Sequence, residues 1–547
     1  MIELPEGYYL SNFIELIDCV YVQYQDLLAP VELQFYQQFH ALSETAQKLY
    51  VRMLTRKGEL FRASKLVYRE IPDTMLAARE LADRHFIAID PAIPHSELLS
   101  LFSKAEWLDV LARHGQDTAA IKALRSLKRV EFDQQLDTLL PDQADLTLKP
   151  DALLQLQNAQ LFDTFKLLFF GNLNQDLTEF VLRDIGLYRF ETYRIDRQTR
   201  LFPHRQTIDN LLNYYAQLSF LDDILGGEPE NMITFHQSLP VASQHEPVLN
   251  RRVENTQLKL ARSLERVNEL ESAMMIYQKC QRPPARERQA RILVKQDQIE
   301  EALLMCQNIL NTSHSDEENV FATDFGYRIA KKHQLSWPQP CKYQPPSEHV
   351  ILSQTAQSVE RHVADYYSQQ GNCYVVENTL FNGVFGLLYW DVLFAPVQGA
   401  FSNPFQTRPH DLYEANFLDS RQHWLNRSNA TLNNMQQVAK ELLACWEKKC
   451  GTANVFVRWE GLTMDLVQMA LSRIPSSHWQ AIFSRLWRDL RANRTGFPDL
   501  IHFPNDGGYQ LIEVKGPGDR LQKNQLRWMQ YFEQHTIPHK VIHVEWQ

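Results

Sequence analysis

The last tenth of the chain carries the pattern that most narrows what this protein can fold into. A Pro-Asp pair ending at Asp499 precedes a short apolar run, turn-forming residues follow at 504–508, and a second run ends in Glu513, a valine and Lys515. Two β-forming runs around such a turn predict a β-hairpin. Side chains two residues apart in a strand share a face, so Glu513 and Lys515 point the same way, and the hairpin can bring Asp499 beside them.

Two carboxylates and an ammonium group at one place suit the chemistry of a hard divalent cation. Magnesium prefers oxygen ligands, and a lysine can hold a water molecule or a phosphate next to the ion. The short Glu-X-Lys motif alone is also typical of a surface hairpin with an ordinary ion pair. The residues that flank the motif therefore decide between the two interpretations.

These flanking residues resemble a known group of nucleases. The overall pattern is that of the PD-(D/E)XK nucleases. The stretches 494–500 (Arg-Thr-Gly-Phe-Pro-Asp-Leu) and 513–525 resemble the virus-type replication-repair nuclease module (VRR-NUC) and, more narrowly, the Fanconi-anaemia-associated nuclease family. Residues 50–66 lie far from this motif and resemble another segment of the same family. The two segments follow each other along this chain in the same order as in the family. The resemblance runs from about residue 50 to the end of the sequence.

The resemblance implies a structure-specific DNA repair nuclease. Such enzymes hydrolyse phosphodiester bonds with a divalent metal, cut 5′ flaps as endonucleases, degrade DNA 5′ to 3′ as exonucleases of the phosphodiesterase I type, and act in interstrand crosslink repair. The implied partner is branched or flapped DNA. Vertebrate members carry a ubiquitin-binding zinc finger, whereas this sequence has no C-x-x-C pair near its start. We therefore expect a bacterial-type member without that finger, acting as a monomer.

The resemblance also implies a set of metal ligands. Glu377, Asp499 and Glu513 would supply carboxylates, and the main-chain carbonyl of Val514 would supply another oxygen. Lys515 would orient or help to deprotonate the attacking water and would offset the charge that develops on the phosphorane. By position alone, Glu377 is better explained as an acidic residue favoured at a helix N-terminus; the resemblance favours a ligand. The family uses Mg²⁺ or Mn²⁺, and the sequence leaves open whether one or two ions bind.

Several polar and basic residues are predicted to contact DNA, although a solvated helix residue would have the same pattern. Gln525 follows the motif and is predicted to support the site or to contact a phosphate. The other candidates for contacts with DNA are Arg520, Lys523, Arg494, Arg52, Arg56 and Lys57. The net charge of −10 does not exclude DNA, because phosphate contacts need local basic clusters rather than a basic total. A 5′-phosphate pocket is expected among basic residues of the helical domains, without assignment to particular residues.

The composition limits the cellular compartments in which the protein is expected to act. No run of about eighteen apolar residues occurs, so we expect no membrane span, and the start lacks the basic and apolar regions of a signal peptide. The seven cysteines are scattered and form no C-x-x-C pair, which is typical of a reducing intracellular compartment. Together with a DNA substrate, this predicts a location in the cytoplasm at the nucleoid.

The patterns predict a multidomain protein. Its N-terminal two-thirds are expected to be mostly α-helical, and its C-terminal domain to have an α/β, restriction-endonuclease-like fold. We expect a helical DNA-binding domain at residues 1–90, a SAP-like helical unit at 91–150, a tetratricopeptide-like helical domain at 151–345, and a VRR-NUC domain with a helical insert at 350–547.

Four more local predictions can be compared with the structure. Two related helical segments align with Ala273 and Ala302 at equivalent positions, as in a helical repeat. A basic helix is predicted over Leu49–Tyr68 with a break at its Lys-Gly pair. The third prediction is a short helix capped by Ser96, and the fourth is a strand at Val455–Trp459.

Two other functions remain open from the sequence. One is a different PD-(D/E)XK enzyme, such as a junction resolvase or a restriction-type nuclease, which the long helical N-terminal part argues against. The other is a non-catalytic, helical-repeat DNA scaffold with an inactive nuclease fold. The intact Asp499, Glu513 and Lys515 argue against the scaffold, because an inactive site has no need of them.

Overall fold

The chain forms two compact units, Met1–Ile185 and Gly186–Gln547. The computed structural model describes residues 7–93, 101–113, 117–139, 151–177, 180, 189–241, 246–313, 315–340 and 343–547. Within these described ranges, no helix is both long enough and apolar enough to cross a bilayer. The predicted helix cap at Ser96 lies outside the described residues.

The first unit is mainly helical. Its α-helices span Tyr8–Tyr24, Pro30–His40, Glu44–Leu54, Thr74–Asp83, Lys104–Arg113, Thr118–Ser126, Arg129–Leu139 and Gln160–Phe170. Aromatic rings join helices that are distant in sequence: the ring centroid of Phe13 lies 4.8 Å from that of Phe39 and 4.8 Å from that of Phe162. Tyr50 meets Phe86 edge-on at 5.0 Å. Burial of these large rings supplies much of the stabilisation of this unit.

A small β-sheet interrupts the helices of the first unit. Its strands are β1 (Leu60–Arg62), β2 (Ile87–Ile89) and β3 (Leu153–Leu156). Their order is β1-β3-β2, and both pairs are antiparallel, with Phe61 opposite Leu154. The predicted helix over 49–68 is therefore wrong beyond Leu54. Leu60–Arg62 form strand β1 and Ala63–Lys65 form a 3₁₀-helix instead. The strand forms because its partner comes from a distant segment, which no local periodicity indicates.

The second unit begins with a series of helices joined by short connections. They span Arg205–Leu218, Leu221–Leu225, Pro229–Ser238, Pro247–Arg266, Leu270–Lys279, Ala285–Lys295, Ile299–Asn311 and Asp316–Lys332. Ala273 and Ala302 are both buried. The helices that carry them follow Asn268 and Asp297, which have φ angles of +67° and +60°. The two predicted repeat segments thus share a buried alanine and a residue with positive φ before the helix. The small alanine side chain permits close helix packing.

A five-stranded sheet forms the rest of the second unit. Its strands are β4 (Ser347–Leu352), β5 (Gly371–Val375), β6 (Leu500–Pro504), β7 (Gln510–Lys515) and β8 (His539–Trp546). The order is β4-β8-β7-β6-β5; β6 is antiparallel to β5 and to β7, and β8 is parallel to β7 and β4. The predicted hairpin of β6 and β7 is confirmed. The edge strand β4 was not predicted, because its mostly exposed side chains show no apolar alternation.

Helices cover both faces of this sheet. They span Val359–Tyr367, Leu380–Leu388, Trp390–Leu393, Gln422–Thr431, Met435–Lys449, Met464–Arg473, Ser476–Arg488 and Lys523–Gln534. The first packs on one face with Ile512 and Val514, whereas Leu511 packs on the other face with Trp528. The predicted strand at 455–459 is wrong, since this apolar segment forms turns within the helical insert.

Candidate active site

Three acidic residues come to one edge of the five-stranded sheet. β5 and β7 end at this edge and β6 begins there, because β6 is antiparallel to both neighbours. Extending the pairing of Leu500 with Ile512 by one residue sets Asp499 opposite Glu513. The main-chain nitrogen of Glu377 donates to the carbonyl oxygen of Asp499 at 3.2 Å. Glu377, Asp499 and Glu513 therefore lie on three neighbouring strand ends, which we call the carboxylate edge.

Glu513 lies at the centre of a buried network. Its carboxylate Oε1 accepts hydrogen bonds from Lys515 Nζ at 2.8 Å and from Gln525 Nε2 at 2.5 Å. Gln525 Oε1 in turn accepts from Lys515 Nζ at 3.2 Å and from the main-chain nitrogen of Gln522 at 2.8 Å. Glu513 is 0% exposed, and its Oε2 has no hydrogen-bond partner among the described residues. A buried carboxylate oxygen in this setting is satisfied either by a proton shared with the neighbouring carboxylate of Asp499 or by a cation from outside the chain.

The loops that carry Glu377 and Asp499 are joined by amide side chains. Asn378 Oδ1 accepts a hydrogen bond from the main-chain nitrogen of Phe497 at 3.2 Å. Asn382 Nδ2 donates to the carbonyl oxygens of Asn378 and Arg494, both at 2.7 Å. These bonds hold the segment before β6 against the segment after β5. The carboxylate edge is therefore positioned by side chains as well as by the strand pairing.

Burial raises the pKa values of the two central carboxyl groups. Desolvation raises the pKa of Asp499 to about 6, against the effect of the Val514 N–H that donates to Asp499 Oδ2 at 2.8 Å and of Lys515. Desolvation, followed by repulsion from Asp499, raises the pKa of Glu513 to about 8, against the stabilising effect of Lys515. A divalent cation would relieve both effects, because it compensates the negative charges that burial disfavours.

Three arginines surround Tyr413 close to this edge. The guanidinium carbons of Arg408 and Arg491 lie 4.9 and 4.8 Å from the ring centroid, and Arg494 Nη1 donates to the Tyr413 hydroxyl at 2.9 Å. We call Arg408, Arg491 and Arg494 the Tyr413 cluster. Within the described residues, none of the three pairs with a carboxylate. Desolvation by its neighbours, together with repulsion from Arg491, Arg494 and Arg251, lowers the pKa of the exposed Arg408. The cluster therefore carries concentrated positive charge that would attract an anion.

Comparison with known proteins agrees with the resemblance seen in the sequence. A model of the VRR-NUC domain matches residues 433–546, and a model described as the FAN1 HTH domain matches residues 7–88. The Fanconi-associated nuclease 1 homolog of Pseudomonas aeruginosa is 33% identical over 561 residues, which cover 99% of this chain and 97% of that protein. The chain belongs to the Fanconi-associated nuclease 1 family. It is therefore a DNA nuclease.

Solved structures of the family share the whole fold. The crystal structure of paFAN1 bound to DNA with a 2-nucleotide 5′ flap and a gap matches with a TM-score of 0.84 at 31% identity, and the match covers 100% of both chains. Human Fanconi-associated nuclease 1 is 25% identical over 644 residues, which cover 98% of this chain but 62% of the human protein. The predicted fold class, a mostly helical chain with a C-terminal VRR-NUC domain, is confirmed.

Membership of this nuclease family implies a divalent metal, and the carboxylate edge fits one. The free Oε2 of Glu513, the carboxylate of Asp499 and the carbonyl of Val514 are oxygen donors, as a hard cation requires. Within the described residues, no three Asp, Glu, His or Cys side chains converge closely enough to hold an ion alone. The carboxylate of Glu377 is exposed and receives a hydrogen bond from Asn378 Nδ2 at 3.4 Å. Magnesium commonly uses one or two carboxylates and fills its shell with water and substrate phosphate.

The other predicted DNA contacts differ in their surroundings. Arg520 and Lys523 are exposed in the loop and helix start that follow β7, and Arg56 and Lys57 are exposed after helix Glu44–Leu54. Arg52 instead pairs with Glu70 at 2.7 Å and lies 3.9 Å above the ring of Tyr9. Its contact with DNA, like those of the other four, stays a prediction. The sequence indicated Arg494 but neither Arg408 nor Tyr413, which lie in the helical insert outside any motif.

Metal affinity is expected to rise with pH until Glu513 is ionised. If Glu513 is a ligand, the cation binds its ionised carboxylate, and binding displaces the proton of a group whose pKa burial raises to about 8. The dissociation constant for Mn²⁺ should therefore fall about tenfold per pH unit between pH 6.5 and 7.5 and level off above about pH 8. Calorimetric titration of the DNA-free protein at pH 6.5, 7.5 and 8.5 measures this change. An affinity independent of pH would contradict a protonated Glu513.

Proposed function

We propose that the protein is a metal-dependent nuclease that cuts 5′ flaps and degrades DNA 5′ to 3′ in the repair of interstrand crosslinks. The observation that carries this proposal is the pairing of Asp499 with Glu513 beside Lys515, with one buried Glu513 oxygen left without a partner in the described chain. The solved relative with 5′-flap DNA supports the choice of substrate.

Each residue of the carboxylate edge has a distinct role in this proposal. Asp499, Glu513 and the Val514 carbonyl would hold Mg²⁺ or Mn²⁺, with Glu377 as a further carboxylate ligand. When bound, the metal supplies Lewis-acid stabilisation of the charge that builds up on the phosphate oxygens. Lys515 Nζ, held at 2.8 Å from Glu513, positions the attacking water and donates to a phosphate oxygen as negative charge develops.

Gln525 acts as a positioning residue. It bonds both Glu513 and Lys515 and is itself tied to the first turn of helix Lys523–Gln534 through Gln522. Its amide therefore fixes the lysine relative to the carboxylate before substrate arrives. Such preorganisation of charged groups accounts for a large part of enzymatic rate enhancement.

The Tyr413 cluster is the best candidate for binding a phosphate of the displaced strand, including a 5′-terminal phosphate. Its arginines carry charge that no described carboxylate neutralises, and planar guanidinium groups match phosphate oxygens in bidentate geometry. The carbonyl of Arg494 is joined through Asn382 to Asn378, the residue after Glu377. A phosphate bound here would therefore lie near the protein segments that carry Glu377 and Asp499.

Replacing Arg491 with glutamine should weaken binding of a 5′-phosphorylated flap about five- to tenfold. Loss of one phosphate contact should also reduce the salt slope of log K by about 0.7 to 0.9. Fluorescence anisotropy in EDTA at several salt concentrations measures both quantities. Arg328→Gln, at an exposed position of helix Asp316–Lys332, is the matched control and should change neither. Equal weakening of flap binding by the two variants would show that the Tyr413 cluster makes no specific contact with the flap.

Cleavage of labelled DNA tests the proposed function directly. A 5′-flap duplex, a 3′-flap duplex, a plain duplex and a four-way junction are incubated with Mg²⁺, Mn²⁺ or EDTA. Metal-dependent cutting confined to the 5′ flap is the expected result. Preferred cutting of the junction or the plain duplex would favour a resolvase or restriction-type enzyme. Tight flap binding without cutting of any substrate would favour the scaffold.

The same proposal includes a monomeric protein that acts at the nucleoid. The carboxylate edge is built from one chain, and cleavage of a flap requires only one such site. Sedimentation of the protein with and without flap DNA should give the mass of one chain in both cases. A stable dimer would contradict this part of the proposal without affecting the chemistry.

A further inference from the structure

We propose that His543 is a further substrate-contacting residue of the nuclease site, and that its imidazole donates a hydrogen bond to a DNA phosphate next to the phosphate that is cut. The inference rests on the proposed role of Lys515 in flap cleavage and concerns a residue outside the recognised motif. His543 lies on β8, beside the end of β7 that carries Lys515. The position, the exposure and the hydrogen-bonding capacity of its ring support this role.

The strand register sets His543 next to Lys515. β8 runs parallel to β7, and His543 is the residue that pairs with Lys515. Neighbouring strands lie about 4.7 to 4.9 Å apart, and side chains alternate between the two faces of a sheet. Ile542, the residue before His543, packs with Val514 on the opposite face. His543 therefore lies beside Lys515 on the face that also carries Glu513.

A second histidine extends this row to the edge of the sheet. His349 of β4 pairs with His543 in parallel register. The two imidazole rings stack, with their centroids 5.1 Å apart and an angle of 25° between their planes. His349 Nδ1 also lies 3.3 Å from Glu545 Oε1. These contacts limit the orientations that are open to the His543 ring.

The row opens from the buried site to solvent. The side chain of Lys515 is 9% exposed, His543 is half-buried, and the side chain of His349 is 66% exposed. On the other side of β7, Ile501 of β6 and Phe497 just before it are buried in the core beneath the helical insert. This face is therefore closed towards β6 and open towards β4. A DNA strand that passes Lys515 on the open side passes over His543.

The His543 ring has hydrogen-bonding capacity to spare. Among the residues that the structure describes, it forms no hydrogen bond and no ion pair. A neutral imidazole keeps one N–H donor and an imidazolium has two, so a donor is present in either protonation state. Phosphate oxygens accept most of the hydrogen bonds that proteins donate to DNA. A phosphate beside the one held at Lys515 therefore fits the free donor.

The stacked histidines also have a simpler explanation. Cross-strand ring pairs stabilise a sheet, and the pair would then serve only to hold β4 against β8. In that case any aromatic ring at position 543 suffices, and the N–H group is not used. His543→Phe keeps a ring and removes the donor, whereas His543→Gln keeps an N–H donor and removes the ring. The two explanations therefore predict opposite orders of activity for these variants.

Single-turnover cleavage of a 5′ flap at saturating Mg²⁺ and protein tests the inference. Loss of one positioning contact is expected to slow His543→Phe by about 10- to 100-fold and His543→Gln by no more than about fivefold. His333→Phe, at an exposed histidine that follows helix Asp316–Lys332, is the matched control and should stay within about twofold of wild type. Affinity for Mn²⁺ should be unchanged in all three variants, because no metal ligand is removed.

Modified DNA identifies the contact itself. Flaps are prepared with one neutral methylphosphonate at successive positions on either side of the cleavage site. At the contacted phosphate, the modification should slow wild type about as much as His543→Phe does, and combining the two changes should give no further loss. Losses that add at every position would overturn the inference.

The failure of the inference and the failure of the proposed function are distinguishable. A wild-type rate in a folded His543→Phe, with wild type cutting flaps in a metal-dependent manner, would overturn the inference and leave the proposed function intact. Absence of metal-dependent flap cutting by wild type would overturn both. Circular dichroism verifies the fold of each variant, and His543→Ala removes the same donor if the phenylalanine variant does not fold.

Discussion

Asp499→Asn is expected to reduce cleavage of a 5′ flap by at least about 10³-fold, a loss of about 4 kcal/mol of transition-state stabilisation. Asp499 stands between the other acidic residues: it faces Glu513 across the strand pair, and its carbonyl accepts from the main chain of Glu377. An amide keeps the size of the side chain and its bond from Val514, but it lacks the charge that attracts a cation. Single-turnover cleavage at saturating Mg²⁺ measures the loss.

Two further measurements connect the expected loss of activity to the proposed metal site. Flap affinity in EDTA should remain close to that of wild type, because the change removes no contact with DNA. Asp506→Asn, an exposed substitution in the turn between β6 and β7, should retain full activity. Residual activity of Asp499→Asn within about tenfold of wild type would exclude Asp499 as an essential metal ligand.

Gly496→Ala is expected to destabilise the protein by about 2 to 4 kcal/mol. Gly496 has a φ of +92°, and an added Cβ would lie 2.9 Å from the carbonyl carbon of Asn524. The main chain of Asn524 cannot move aside as the end of a flexible side chain can. The clash would push helix Lys523–Gln534 away from the segment that carries Asp499, and with it Gln525. Urea unfolding monitored by circular dichroism measures the change in the free energy of unfolding.

Gly518→Ala separates the clash from the backbone conformation. Gly518 has a nearly identical φ of +89°, but an added Cβ there would meet no atom within 4 Å. We expect it to lose only about 1 kcal/mol, the cost of a left-handed backbone for a residue with a side chain. Equal losses from the two alanine variants would show that the close approach of Gly496 to Asn524 is not a tight packing contact.

The hairpin and the placement of its polar side chains were predictable because their signals are local. Alternation in β7 places Glu513 and Lys515 on one face, and the turn residues at 504–508 return the chain towards Asp499. Helical periodicity likewise indicated most helices, including the repeat of Ala273 and Ala302. The small sheet of the first unit was missed for the opposite reason: β1 pairs with β3, a distant segment, and its residues read locally as the end of a helix.

The sequence by itself determined which groups meet at the carboxylate edge, since strand alternation and a tight turn allow few arrangements of Asp499, Glu513 and Lys515. Only the tertiary structure decided their environment. It buries Glu513, leaves one of its oxygens without a partner in the described chain, and brings Gln525 from the following helix onto both Glu513 and Lys515. Burial and long-range contacts depend on how whole elements pack, and packing joins residues whose separation along the chain carries no periodic signal.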